Sequence, residues 1–270
     1  QELKKYLSRG VSPISFSGVS HIHKAQLLAA TVCDTPGLVV TEDDASARRL
    51  CDDINLMLGE NRAWPFPSKE MALTPVEGLS RSYEHMRLAA LSAVQAGQCS
   101  LLIASGEALL QPTLPPELLE QYTLTLRQGE EYDIGALARQ LTGCGYVRCE
   151  KVEGPSQFSV RGALLDVFPV QAAMPLRLEL WGDTLDSIAP FEVESQRRVD
   201  SQEQLVIPPA QETIVAQPEA LAERIEALAK SLRGKRAPEL RTWLNRDAER
   251  LRSGELLTDI DKYLPLIYPS

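Results

Sequence analysis

The hydrophobic pattern of this chain changes period near residue 118, and no other feature limits its fold as much. Upstream, short apolar runs alternate with helical stripes. Residues 14–17 read as a strand, 24–33 as a helix and 37–40 as a second strand. Thr41-Glu42-Asp43-Asp44 has the form of a capping box, with Thr41 as cap and Asp44 at the third helical position. The helix it opens carries Ala47, Leu50, Cys51, Ile54 and Met57 at helical spacing. A further helix over 82–96 turns Met86, Ala89, Ala90 and Val94 inward. It leads into Ser100-Leu101-Leu102-Ile103-Ala104, the continuous apolar run of a strand buried on both faces. Such alternation predicts an α/β architecture, a parallel sheet with helices on its faces.

Downstream the dominant period is two. Strands are expected at 122–126, 145–152, 158–168, 176–181 and 185–193, with a short helix at 133–142. Gly154-Pro155, Pro169, Pro175 and Gly182-Asp183 mark the turns, so this part reads as an α+β insert with an antiparallel sheet. After Pro208-Pro209 the pattern is helical again. Leu221, Ile225, Leu228 and Leu232 form one stripe, and Leu240, Leu244, Ala248 and Leu251 form another.

Charge narrows the class of partner. The formal net charge is −9, whereas a broad nucleic-acid surface needs Lys and Arg to neutralise phosphates, so protein partners are expected. A local basic patch is compatible with that balance. The five cysteines (Cys33, Cys51, Cys99, Cys144, Cys149) are scattered, and four fall inside apolar patterns, where a thiol behaves as a small hydrophobe. Only Cys144 and Cys149 are near one another, without the second pair or histidine that a zinc site requires. All five are expected to be reduced and structural, as in a cytoplasm. No apolar run reaches the roughly 18–20 residues that cross a bilayer, so no membrane partner is expected. The opening residues are polar and unlike a leader. The absent initiator Met and an end just after an apolar stretch lead to the expectation that the chain is part of a longer one.

One constellation invites a catalytic reading. Gly18-Val19-Ser20-His21-Ile22-His23-Lys24-Ala25 has the register of a nucleotide-binding P-loop, G-x-x-x-x-G-K-[ST], between an expected strand and helix. His23 stands where a second glycine must let the backbone approach phosphates. Ala25 replaces the hydroxyl that holds magnesium. The run at 100–104 continues into Ser105-Gly106 and not into a carboxylate pair. This loop is therefore read as degenerate, and neither ATP hydrolysis nor a bound cofactor is expected here. His21 and His23 lack a third ligand and read as loop residues. Other catalytic signatures are missing too, so no catalytic or metal-binding residues are assigned.

The run Leu176-Arg177-Leu178-Glu179-Leu180-Trp181 carries more. Alternation puts the leucines on one face and Arg177, Glu179 and Trp181 on the other. A Trp beside Arg on a solvated face has the composition of a binding hot spot. The plainer reading is a Trp half-covered by a loop, with Arg177 and Glu179 in ordinary cross-strand pairs. Arg233-Gly234-Lys235-Arg236 reads as a solvated linker whose cations suit a helix C-terminus, with a DNA or protein contact as the alternative.

A longer pattern surrounds that strand. It comprises Gly145-Tyr146, then Phe158-Ser159-Val160-Arg161-Gly162-Ala163-Leu164-Leu165-Asp166-Val167-Phe168-Pro169, then Pro175 through Trp181, Asp183, Leu185-Asp186-Ser187-Ile188, Phe191 and Ser195-Gln196-Arg197. This resembles the R-G-x-x-x-D-x-F-P … P-x-R-[IL]-x-[FL]-[FW]-x-D-x-[IL]-[DE]-[ST]-[IL] pattern of the UvrA-binding domain shared by UvrB and the bacterial transcription-repair coupling factors (Mfd). UvrB keeps a working P-loop, whereas the N-terminal UvrB-homology module of the coupling factors has lost it, as this sequence has. The resemblance implies a degenerate RecA- or helicase-like α/β domain over 1–118 and an α+β UvrA-binding domain over 119–207. It further implies that a helical segment over 208–270, itself cut short, completes the first domain. It implies a UvrA-recruiting module without ATPase activity, from a protein that meets RNA polymerase and DNA through other domains. The family's UvrA-contacting positions carry over to Arg161, Arg177 and Trp181, with Glu179 as a further polar contact. Family members commonly have Phe where Trp181 stands. The alternative is a divergent UvrB-type ATPase acting on damaged DNA.

Overall fold

The apolar run at 100–104 forms the middle of a three-stranded parallel sheet. The computed structural model describes residues 5–6, 9–10, 12–31, 36–69, 81–255, 257 and 259–268. Cys33, the end of the helix expected over 24–33, and the first four residues lie outside them. The chain divides into two units, 1–69 with 82–111, and 70–81 with 112–270.

In the first unit, helix α1 spans His21–Thr31, strand β1 Gly37–Thr41, α2 Asp44–Leu58, β2 Ala63–Phe66, α3 Ser82–Gln95, β3 Leu101–Ser105 and the short α4 Gly106–Leu109. The strand order is β1-β3-β2, all parallel. Alternate side chains of β3 enter different cores, as a doubly covered strand requires. Leu101 and Ile103 pack with Ala25, Ala47, Leu50, Cys51 and Ile54 from α1 and α2. Ala104 packs with Phe66, Ala90 and Ala108. Three local expectations fail. Val94, expected inward, is 38% exposed because the buried face of α3 runs through Leu88, Ala89, Ala90 and Ala93. Residues 12–17 lie in no strand. Pro13 offers no ladder donor there, and so short a segment has little apolar side with which to hold an edge. The cap of α2 is Asp43, whose carboxylate accepts from the Ser46 N–H at 2.7 Å, and not Thr41. Thr41 is the last residue of β1, and its hydroxyl donates to the Asp43 carbonyl, so the helix starts later. Asp44 turns inward instead, onto Ser105 and Ser68.

The second unit contains α5 (Pro116–Tyr122), β4 (Leu124–Arg127), α6 (Ile134–Gly143), β5 (Val147–Arg148), β6 (Gln157–Arg161), β7 (Leu164–Val167), β8 (Leu176–Trp181), β9 (Thr184–Pro190) and β10 (Gln204–Ile207). Strands β5 to β9 form one sheet in sequence order, antiparallel except for the short β5–β6 pair, and β10 pairs with β4. The single strand expected over 158–168 is a hairpin. Gly162, with φ +62°, turns the chain so that Arg161 faces Leu164. Phe158, Leu165, Val167, Leu176, Leu178, Leu180 and Ile188 bury the inner face together with Leu137 and Leu141 of α6.

Beyond β10 come α7 (Pro218–Ser231) and α8 (Ala237–Arg252), then a 3-10 turn (Ile260–Tyr263) and α9 (Leu264–Ile267). The two predicted stripes pack on each other through Leu221, Ile225, Ala248 and Leu251, whereas Leu228 and Leu240, expected in the same stripes, are exposed. The sequence reading assigned 208–270 to the first domain, but these residues fall in the second unit. The link is local: Tyr146 donates its buried hydroxyl to the Pro208 carbonyl at 2.9 Å, and the Ala210 N–H donates to the Cys144 carbonyl at 2.8 Å. Among the described residues, no helix is long and apolar enough to cross a membrane.

Candidate functional site

Strand β8 carries the candidate site. Its leucines enter the core while Arg177, Glu179 and Trp181 share the outer face of the sheet. The register sets Ser159, Asp166, Arg177 and Ala189 side by side, and Arg161, Leu164, Glu179 and Ser187 in the next row. Trp181 stands one pleat further along, opposite Thr184.

Asp166 lies at the middle of this face and is only 2% exposed. Its Oδ1 accepts from Arg177 Nε at 2.7 Å, and its Oδ2 accepts from Arg177 Nη2 at 2.8 Å and from Arg161 Nη2 at 2.7 Å. In so dry a place the lone pairs of a carboxylate need strong donors, and the two guanidinium groups supply them. The bond to Asp166 in turn holds the Arg177 guanidinium above the usual arginine range.

The chain after β9 folds back as a strap over part of the same face. Phe191 is buried and bridges to Arg198, and the Arg177 guanidinium lies 4.5 Å from the centre of its ring. Arg177 Nη2 also donates to Gln196 Oε1 at 2.9 Å. Gln196 has φ +56°, a left-handed conformation uncommon for its type. It is held there by its own N–H on the Glu192 carbonyl and its Nε2 on the Val193 carbonyl, both at 2.8 Å. Glu179 is ion-paired with Arg198 and accepts from the Ser187 hydroxyl.

Exposure sorts the four residues singled out from the sequence. Trp181 is 85% exposed and the Arg161 side chain 51%, whereas the Arg177 side chain is 13% exposed. The plainer reading of this strand is met for the two charged residues and not for the indole. No loop covers Trp181, while Arg177 and Glu179 are taken up in pairs within the chain. Sequence reasoning missed Asp166 and Gln196 as members of the site. An acid inside Leu164-Leu165-Asp166-Val167 was a usable signal, because buried carboxylates are almost always paired. Gln196 carried no such signal.

The loop read as a degenerate P-loop lies in the first unit. Gly18 has φ +70°, and α1 begins at His21 with the Lys24 N–H on the Ser20 carbonyl. The His23 ring is 2.9 Å from the Ser20 hydroxyl, and His21 faces Asp53 at 3.3 Å. Lys24 is exposed, whereas Ala25 is fully buried against α2. An open cleft of about 720 Å³ runs beside this loop, lined by Phe16, His21, Lys24, Val40, Thr41 and Glu42 among others. Among the described residues, no group of three or more His, Cys, Asp or Glu is placed to hold a metal ion. The basic cluster 233–236 is exposed at the α7–α8 turn, where Arg233 donates to the Lys230 and Leu232 carbonyls at the end of α7.

Residues 124–212, which contain the five-stranded sheet and its outer face, match the family described as the UvrB interaction domain. Across 97% of its length the chain is 26% identical to the transcription-repair-coupling factor of Bacillus subtilis. It is 33% identical over 65% of its length to the Haemophilus influenzae protein of that name, and 28% identical over 67% to the Staphylococcus aureus one. These matches bear out the resemblance to the N-terminal UvrB-homology module of transcription-repair coupling factors. The chain spans 23% of the Bacillus protein and 15% of each of the other two.

Proposed function

We propose that this chain is the UvrA-recruiting module of a transcription-repair coupling factor, and that it docks through the outer face of the five-stranded sheet. The observation that carries the reading is Trp181, 85% exposed on a face that also presents Arg161. A partner that seals an indole of this size removes on the order of 200 Å² from water, worth about 4 kcal/mol before ordering costs. Arg161 supplies the directional part, a charge-assisted hydrogen bond to a carboxylate. The family match lies over this sheet and supports UvrA as the partner.

In the same reading, the first unit is a degenerate RecA-like domain that hydrolyses nothing. The side chain at 25, where a P-loop needs a magnesium-binding hydroxyl, is a methyl group packed under α2. RNA polymerase and DNA are met by other parts of the longer protein, in the cytoplasm, so that repair starts where transcription has stalled.

Titration of purified UvrA into the chain tests the reading. Saturable binding that Trp181→Ala weakens by about thirtyfold supports it; equal binding by both proteins overturns it. Micromolar, magnesium-dependent binding of a fluorescent ATP analogue would overturn the non-catalytic part.

A further inference from the structure

We propose that Asp166 is the positioning residue of the docking face: it engages Arg177 as an internal strut and aims Arg161 at the partner. The inference rests on the docking reading and divides the labour within it. Arg177 has spent its guanidinium fork inside the chain. Nε and Nη2 lie on Asp166, Nη2 also lies on Gln196, and the ring of Phe191 faces the cation. With its side chain 13% exposed, it has no edge from which to grip a partner's carboxylate bidentately.

Arg161 differs. Only Nη2 is engaged, and among the described residues Nε and Nη1 make no hydrogen bond. Two guanidinium groups on one carboxylate leave a net charge of +1, and the excess lies on the exposed partner, Arg161. The neighbouring Glu179–Arg198 pair is neutral. The face is thus locally cationic on a chain whose net charge is −9. A guanidinium pinned at one nitrogen also loses less rotamer freedom when it binds. The complementary surface then has a carboxylate for Arg161 and an apolar recess for Trp181. Two strand spacings and two residues of offset put these roughly 12 Å apart.

The test measures UvrA affinity by calorimetry for the whole chain, for Asp166→Asn, for Arg161→Ala and for the double variant. Asp166→Asn is expected to weaken binding about tenfold, and less than about twofold further when Arg161 is already alanine. Losses that multiply in the double variant would make Asp166 a structural residue only and overturn the proposal, as would an Asp166→Asn affinity equal to wild type. Should Asp166→Asn fail to fold, Arg177→Lys and Arg161→Lys decide. A strut at 177 predicts less than a threefold change for the first and about tenfold for the second, and the reverse order overturns the assignment. Trp181→Ala run in parallel separates the two levels. If it binds UvrA like wild type, the docking reading fails and takes this inference with it. If it weakens binding while Asp166→Asn does not, only the positioning role is lost.

Discussion

Arg161 and Arg177 stand on different strands, yet both donate to the same oxygen of one buried carboxylate, Oδ2 of Asp166. The arrangement makes the two arginines unequal. One is half in water and lightly held, and the other is enclosed and bonded on several sides. Family resemblance names both as contacts. The geometry gives them separate physical roles.

Their stabilities should therefore differ when each is removed. Arg177→Ala strands a nearly dry carboxylate with one exposed partner and empties the space over Phe191, so it is expected to cost about 3–5 kcal/mol. Arg161→Ala leaves the bidentate pair in place and should cost about 1 kcal/mol or less. Urea unfolding followed by circular dichroism checks both. Equal midpoint shifts would contradict the distinction.

Trp181→Ala should leave stability within about 0.5 kcal/mol of wild type, because an indole this exposed contributes little to the core. A loss of thermal stability beyond that would mean that the ring packs against the chain in solution. Affinity for UvrA should nevertheless fall by about 2 kcal/mol, as for a central aromatic anchor.

Acid should weaken the first unit through Asp44. Burial alone raises its carboxyl, but hydrogen bonds from Ser105 at 2.5 Å and from the Ser68 hydroxyl and N–H at 2.6 and 2.8 Å, with Arg87 nearby, outweigh it and hold it below the usual range. A folded-state pKa below the unfolded one gives stabilisation that is complete above about pH 4 and lost as the pH falls through the folded value. Asp44→Asn should lower stability at pH 7 by about 2 kcal/mol. It should also flatten the fall in urea midpoint between pH 5 and pH 2.5. An unchanged acid slope would remove Asp44 from the account.

Gly145 is expected to resist substitution. Its φ is +90°, and a Cβ there would lie 2.7 Å from Gln211 Cγ and 3.0 Å from Gln211 Cβ. Gly145→Ala combines backbone strain with a clash at the base of a side chain, for a loss of about 2–3 kcal/mol. The midpoint of chemical denaturation reads it directly, and a neutral variant would show that the turn relaxes freely.

Burial pushes the thiol of Cys51 up to about 12 and that of Cys144 to about 11. At pH 8 the thiolate is then roughly one part in ten thousand for the first and one in a thousand for the second. Iodoacetamide applied to the native chain should leave both unmodified, with mass spectrometry as the readout. Urea should expose both. Rapid native labelling of either would contradict its burial.

The sequence alone was enough for the direction in which strand side chains point. Period two placed the β8 leucines inward and Trp181 outward, and the apolar run at 100–104 announced a strand covered on both sides, because side-chain direction is local geometry. Contacts across strands were not legible in this way. The hairpin at Gly162 was missed because its apolar content continues through the turn, and the cap of α2 moved to Asp43 because β1 extends through Thr41. The residues 208–270 fall in the second unit, where Tyr146 and Cys144 bond to Pro208 and Ala210. No pattern in the sequence distinguishes Arg177 from Arg161, since each is an arginine on the outer side of a strand. Only pairing register and the strap over Phe191 decide which guanidinium is enclosed, because desolvation is a property of the packed surface and not of the residue.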